Sequence, residues 1–460
     1  MCRRLLPRIE QARCEENFMR FYIETYGCQM NSNDSEIVAS LLESSGFQWV
    51  EESESADIVL INTCAIRDNA EQRILGRIAQ YKKLKRTSRK NLVIGVLGCM
   101  AARVKEELLS PKIGASVVVG PDGYRLLPEL LREAATGIQG VYTRLSRSET
   151  YGEIEPLRYG GNRVSAFTSI MRGCNYACTY CVVPFTRGPE RSRSVDSILH
   201  EVKKLAEQGY KEVTLLGQTV DSYSWQAPSG NVVRFSTLLE QVAQAVPTLR
   251  VRFATSHPHD MTEDVLRVMA TYPNVCHHIH LPVQSGATSM LQRMKRRYTR
   301  EEYLTQIALI RKLLPDCSIT TDIIAGFTGE TQEEHEATLS LMREVHFDLA
   351  YMFKYSERPG TYAQRRLGDT VPEAVKGERL QEIIDLQQQH SYESNQRDVG
   401  KTFEVLVEGY SHKSEADLCG RNMQNRMIVF PATKVEVGAR LAVRVEQCTP
   451  STLLGVVVSD

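Results

Sequence analysis

The residues most able to do chemistry in this sequence are three cysteines in the string RGCNYACTYC: Cys174, Cys178 and Cys181. Separated by three and then two residues on one short loop, they can converge on a single inorganic cluster. A structural zinc ion normally closes its shell with four ligands, yet the next cysteine is Cys276 and the loop contains no histidine. Three thiolates on a cluster of four irons leave one iron open. The amino and carboxylate groups of S-adenosylmethionine (SAM) chelate such an iron and place its sulfonium beside an electron source.

A second constellation is spread over the first hundred residues. Cys28 follows FYIETYG, Cys64 follows ADIVLINT and Cys99 follows NLVIGVLG, so each stands where a strand candidate ends. In a parallel sheet such ends share one edge, where open α/β folds bind ligands. A single cysteine there is ordinarily just a buried thiol. Three successive strands ending this way make a second three-thiolate site the better reading. Cys2, Cys14, Cys276, Cys317, Cys419 and Cys448 have no partner spacing and read as ordinary thiols. His278 and His280 share one side of a strand, a geometry that binds metal but more often marks a barrel interior.

The elements that must position these groups follow from periodicity. At 460 residues and 42% hydrophobic, the chain predicts two to three domains. A polar tail, 1–17, precedes βα repeats that form an open parallel-sheet α/β domain over 18–137. Residues 138–164, rich in Gly, Ser, Thr and charge, read as a linker. Over 165–396 six apolar strand candidates alternate with amphipathic helices, which predicts a barrel or part-barrel with its chemistry at the strands' C-terminal ends. Short alternating strands with Gly and Pro turns over 397–460 predict a small β-barrel. No apolar run approaches membrane-span length and no signal peptide is evident, so a soluble cytoplasmic protein with reduced thiols is expected.

Lysine plus arginine equals aspartate plus glutamate, 56 against 56, so only local charge is informative. Arg73 to Lys90 holds eight basic residues and no acidic one, and further clusters occur at Arg187, Arg191 and Arg193 and from Arg293 to Arg300. These islands read as a polyanion footprint, although any one alone also fits a solvated helix face. The C-terminal 396–460 is not basic overall, with eight residues of each sign.

The CxxxCxxC string, with Tyr180 before its last cysteine, resembles the signature of the radical SAM enzymes. YGCQMN, NTCAIRDNA and GCMA around Cys28, Cys64 and Cys99 resemble the N-terminal domain of the methylthiotransferases, and LLGQTVDSY, ATSHP, HIHLPVQSG, TDIIAGFTGET and YSERPGTYA continue the likeness. The first two strings resemble the tRNA branch, the MiaB-type 2-methylthio-N6-dimethylallyladenosine synthases. The sequence departs from the family's usual Asn at Thr219 and Asp221 and from its Pro at Thr328.

The resemblance implies a central partial (βα)6 radical SAM barrel, a C-terminal TRAM RNA-binding barrel and two 4Fe-4S clusters, on Cys174, Cys178 and Cys181 and on Cys28, Cys64 and Cys99. It implies that one SAM methylates sulfur held at the second site. Another SAM supplies the radical that lets the methylthio group couple to C2 of N6-isopentenyladenosine at position 37 of tRNA. An aromatic C–H of that kind is out of reach of acid–base catalysis. Gln218, His257, Gln284, Ser285 and Asp322, at strand ends, are expected at the SAM side. Arg421, Asn425 and Arg426, with Arg73 and Arg77, are expected to contact RNA. The expected partners are a tRNA anticodon stem-loop, an electron donor such as flavodoxin or ferredoxin, and a sulfur or cluster donor, with the chain a monomer. The alternatives are methylthiolation of threonylcarbamoyladenosine in tRNA, methylthiolation of a ribosomal-protein aspartate, and a non-catalytic iron–sulfur RNA-binding protein.

Overall fold

The computed structural model describes residues 18–64, 68–160, 163–411, 413–432 and 434–458. The expected tail 1–17, with Cys2 and Cys14, lies outside these residues. The N-terminal layer is a six-stranded parallel sheet in the order β2-β1-β3-β4-β5-β6. Its strands are β1 (Arg20–Tyr26), β2 (Gln48–Trp49), β3 (Ile58–Thr63), β4 (Val93–Gly98), β5 (Val117–Val119) and β6 (Gly140–Tyr142). Central strands IVLINT and VIGVLG are buried at every residue, as a parallel sheet covered on both faces requires. The covering helices are α1 (Gln29–Ser44), α2 (Asp68–Thr87), α3 (Cys99–Val104) and α4 (Leu127–Ala135).

The stretch 138–164, expected as a linker, differs. β6 pairs with β5 and completes the sheet, Tyr151 is buried with its hydroxyl donating to Pro121 O at 3.0 Å, and Arg158 pairs with both Glu36 and Glu201. Its Gly-, Ser- and charge-rich composition masks a few anchoring side chains that dock it between two domains.

The second unit carries six parallel barrel strands: β7 (Ser165–Ser169), β10 (Glu212–Leu216), β13 (Arg250–Ala254), β14 (His278–His280), β15 (Ser318–Ala325) and β16 (Leu349–Lys354). They form two three-stranded sheets, β13-β10-β7 and β14-β15-β16, joined where Val251 bridges Val275, so the barrel stays open between β7 and β16. Two ribbons decorate it, β8 (Met171–Arg172) with β9 (Arg191–Ser192) and β11 (Ser224–Gln226) with β12 (Val232–Arg234). Its helices are α5 (Val183–Arg187), α6 (Val195–Glu207), α7 (Phe235–Ala245), α8 (Glu263–Thr271), α9 (Thr288–Arg293), α10 (Arg300–Leu313), α11 (Gln332–Val345) and α12 (Glu373–Gln396). Ser194, Thr299 and Thr331 cap α6, α10 and α11 by accepting a backbone N–H from the first turn. One continuous apolar core, including Val213, Val251, Ile279 and Ile319, fills the space between strands and helices.

The C-terminal unit is a closed barrel in the order β17-β18-β19-β21-β20. Its strands are β17 (Thr402–Ser411), β18 (Ser414–Arg421), β19 (Met427–Pro431), β20 (Arg440–Cys448) and β21 (Leu453–Val457). The turn between β18 and β19 docks under the central barrel. Arg250 donates to Arg421 O at 2.7 Å, and Arg252 donates to Asn422 O at 2.6 Å and Met423 O at 3.1 Å. Gln424 reaches Asp316, and Arg426 reaches Asp348. Arg250, Asp316 and Asp348 stand at or before strand starts and Arg252 two residues further along β13, so the turn covers the N-terminal end of the barrel.

Candidate active site: two cysteine triads joined by a short helix

β1, β3 and β4 lie side by side, and their ends bring the first triad together. The Cys64 N–H donates to Tyr26 O at 3.0 Å, and Thr63 pairs with Gly98. Buried amides clamp this edge: Asn31 Nδ2 donates to Asn62 Oδ1 at 3.1 Å, and Asn62 Nδ2 donates to Asn31 O at 2.9 Å. Gly27 is required by close approach, since a Cβ there would lie 2.5 Å from Asn31 Oδ1 and 2.9 Å from Cys64 Cβ. Cys28 then caps α1 and Cys99 opens α3.

Cys28 is exposed at the rim, whereas Cys64 and Cys99 are buried. A hydrogen bond with Cys64 brings the Cys28 thiol down to about 6 against the cost of desolvation, with the Arg187 charge assisting. Burial raises Cys99, and Arg187 opposes it. Cys28 is therefore more ready to ionise than Cys99.

The second triad sits on the loop after β8. Gly173, at φ +77°, turns the chain into it, and any Cβ there would fall 2.0 Å from Pro189 O. The Cys174 and Cys181 sulfurs accept backbone N–H groups from Tyr176 and Val183, each at 3.4 Å, and Cys178 Sγ accepts from Arg296 Nη1 at 3.4 Å. Burial pushes Cys174 to about 11 and Cys181 to about 12, so these thiols ionise only against a bound cationic centre. Among the described residues no three His, Cys, Asp or Glu side chains close on a single metal ion.

α5 joins the two sites. Six residues beyond Cys181, Arg187 Nε donates to Cys99 Sγ at 3.2 Å, and Val182 packs on Cys99. Asp34, fully buried on α1, bonds Arg172 Nη1 at 2.7 Å and Arg187 Nη2 at 2.8 Å. Arg191 pairs with Asp122 at 2.9 Å, and Arg193 with Glu201 at 2.8 Å. The basic cluster at Arg187, Arg191 and Arg193, expected as part of a polyanion footprint, is thus buried, with Arg187 and Arg191 forming an ionic seam between the first two domains and Arg193 paired inside the second. The 293–300 cluster is divided: Arg293 pairs with Glu334, Arg296 faces Cys178 and Arg300 pairs with Glu344, whereas Lys295 and Arg297 are exposed.

The expected SAM-side residues divide. His257, 2% exposed, stacks on Tyr176 of the cysteine loop with ring centroids 3.8 Å apart. Burial lowers its pKa to about 2, so the ring is neutral. Nδ1 accepts the His259 N–H at 3.2 Å, which leaves the proton on Nε2, and Nε2 has no partner. Gln218 Oε1 and Ser256 Oγ are also buried without partners, on the ends of the adjacent strands β10 and β13. Orphaned donors and an acceptor above the triad fit a polar cofactor such as SAM. Gln284 adopts φ +67°, and Asp322 lies 3.5 Å from His280 Nε2. Ser285 is fully buried, and its Oγ holds the loop after β14 by accepting the Ala287 N–H.

Sequence reasoning missed Tyr176, Ser256, Arg187 and Arg296. Asp221, noted there only as a departure, holds the His257 backbone N–H with both carboxylate oxygens, at 3.0 and 2.8 Å. The neighbouring departure, Thr219, donates to Glu190 at 3.0 Å beside Cys174. His278 and His280 both bond Thr320 Oγ1, the barrel-interior arrangement.

The expected RNA contacts also divide. Arg73, Lys83, Arg86 and Lys90 are exposed on or just beyond α2. Arg77 instead clamps Glu24 together with Tyr81. Arg426 is spent on Asp348 and Asp398, and Arg421 pairs with Glu408. Asn425, at φ +64°, forms the turn itself. The 421–426 turn therefore serves as an interdomain plug, about 17 Å of strand away from the cysteine loop.

Residues 20–120 match Uncharacterized protein family UPF0004, 168–342 the Radical SAM superfamily, and 396–458 the TRAM domain. A tRNA-2-methylthio-N(6)-dimethylallyladenosine synthase of Phocaeicola vulgatus is 53% identical over 95% of each chain. The synthase of the same name from Bacteroides thetaiotaomicron is 54% identical over 95% of each. In fold, the chain is similar to the radical S-adenosylmethionine methyltransferase TsrM from Kitasatospora setae, with TM-score 0.53 and 14% identity over 73% of this chain and 72% of that one. The cobalamin-dependent radical enzyme OxsB gives TM-score 0.51 and 13% identity over 81% and 56%. With more than half its residues identical to these synthases over 95% of each chain, the chain belongs to the radical SAM methylthiotransferase family, among the tRNA-2-methylthio-N(6)-dimethylallyladenosine synthases.

Proposed function

We propose that this protein methylthiolates C2 of N6-isopentenyladenosine at position 37 of tRNA, using SAM both as methyl donor and as radical source. The observation that carries the reading is the pairing of two three-thiol sites, one after β8 and one on the C-terminal edge of the first sheet, bridged by α5. When bound, a 4Fe-4S cluster on Cys174, Cys178 and Cys181 supplies the electron that cleaves SAM, and a second cluster on Cys28, Cys64 and Cys99 holds the sulfur.

The protein's own residues do the positioning. The neutral His257 ring offers its Nε2–H, and Gln218 and Ser256 offer buried polar atoms, to the cofactor. Tyr176 stacks on His257 and ties the cysteine loop to the end of β13. Asp221 fixes the turn that carries His257. Asp34, Arg172 and Arg187 hold the two domains in register, so the target carbon can sit between the sites. Reaching both faces of the base requires it to leave the anticodon-loop stack.

The exposed bases of α2 provide a phosphate-facing stripe. Among the described residues no helix is long and apolar enough to cross a membrane. We assign the protein to the cytoplasm as a monomer, served by a flavodoxin- or ferredoxin-type reductant and a sulfur donor.

The deciding experiment is mass spectrometry of nucleosides from isopentenylated tRNA incubated with anaerobically reconstituted protein, SAM and reductant. The expected product is 2-methylthio-N6-isopentenyladenosine. Cys178→Ala should abolish SAM cleavage, and Cys64→Ala should spare cleavage while stopping methylthio transfer. Product only on threonylcarbamoyladenosine, or only on a ribosomal-protein aspartate, would overturn the substrate assignment.

A further inference from the structure

Arg187 is buried against the first triad, with two of its three nitrogens accounted for: Nε on Cys99 Sγ at 3.2 Å and Nη2 on Asp34 at 2.8 Å. The third, Nη1, is buried and has no hydrogen-bond partner, on a residue only 3% exposed. A buried charged N–H left without an acceptor is costly. Against the cost of burial, Asp34 first, then Cys99, Cys28 and Tyr124, favour its charged form. Asp34 is shared with Arg172, so the guanidinium is anchored at Nη2 while its Nε–H is held on the Cys99 thiol. The planar fork cannot be deprotonated, and a lysine cannot reproduce it.

We infer that Arg187 is a positioning residue for the second cluster, donating through Nε to the Cys99 ligand and fixing a buried positive charge beside it. This rests on the reading that Cys28, Cys64 and Cys99 hold a cluster. A fixed cation with an N–H on sulfur stabilises added negative charge, so Arg187 makes the cluster easier to reduce. It does so from a helix that begins two residues after Cys181 of the other triad.

The test uses the full chain with Cys174→Ala, Cys178→Ala and Cys181→Ala, in which only the Cys28, Cys64 and Cys99 site can load. Redox titration followed by electron paramagnetic resonance reads the potential directly, without any need for turnover. Adding Arg187→Met is expected to lower the reduced-to-oxidised ratio at a fixed potential about tenfold, 59 mV for one electron. Arg187→Lys keeps the charge, loses the fork and should fall between. Arg191→Met is the control, because Arg191 is an equally buried arginine of the same seam that bonds Asp122 and touches no thiol. Potentials for Arg187→Met and Arg187→Lys that match Arg191→Met would overturn the inference. If Arg187→Met fails to load, Arg187→Lys decides alone: an unchanged potential overturns the inference, and a lowered one supports it. A triple-Ala parent that binds no iron would remove the two-cluster premise and the inference with it, a result distinct from an indifferent potential.

Discussion

Replacing Asp34 by Asn tests the interdomain seam at its centre. The change is nearly isosteric, but it removes the carboxylate shared by Arg172 and Arg187, whose side chains are 1% and 3% exposed against 0% for Asp34. Arg187 is then left in the interior without its carboxylate, and Arg172 keeps only Asp122, at 4.0 Å. Breaking a buried pair by deleting one partner costs about 3–5 kcal/mol. For a cooperative unit the size of the first domain, at about 4 °C per kcal/mol, that is a fall in melting temperature of about 12–20 °C. The comparison is Glu153→Gln, which loses an ion pair to Arg125 at a carboxylate 65% exposed and should cost under about 1 kcal/mol. Anaerobic thermal melts of the reconstituted proteins, followed by circular dichroism, measure both. An Asp34→Asn melt within about 2 °C of Glu153→Gln would refute the reasoning.

Three further outcomes are expected. His257 is neutral in the fold because burial lowers its pKa to about 2 from 6.5, so the unfolded chain binds the extra proton and stability falls as pH drops below 6.5. Between pH 7.5 and 5.5 the parent should lose about 1.4 kcal/mol that His257→Gln does not lose, read as a narrowing gap between their melts. Arg426→Ala should loosen the C-terminal barrel and raise protease cleavage between α12 and β17, while the salt dependence of tRNA binding keeps its slope. A slope reduced by about 1 would restore Arg426 as a phosphate contact. Lys83→Ala with Arg86→Ala on α2 should weaken tRNA binding and lower that slope by about 2, measured by binding titrations from 50 to 200 mM salt.

Both triads were legible in the sequence, Cys174, Cys178 and Cys181 from their spacing on one loop, and Cys28, Cys64 and Cys99 because strand periodicity places each at a strand end and the strand order of the first sheet makes those ends neighbours. The six barrel strands were legible for the same reason. The short strands β2 and β6 were not, since two or three residues carry no period. Charge was the misleading signal. Arg187, Arg191, Arg193, Arg296 and Arg426 look like surface bases in one dimension, because Asp34, Asp122 and Asp348 stand tens to more than a hundred residues away along the chain. Tyr176 and Ser256 drew no attention because stacking and orphaned polar atoms exist only once β10, β13 and the cysteine loop are packed.

α5 gives the two sites a common ruler. Cys181 and Arg187 are separated by six residues, largely helical, a rise of about 9 Å. The span from one triad to the other's arginine is therefore covalent, and it does not depend on how tightly the domains associate. Adding a single residue within α5 would swing Arg187 by about 100° around the helix axis while leaving all six cysteines in place. Register along one turn and a half of helix is thus a coordinate by which the pair can be put out of step without touching a ligand.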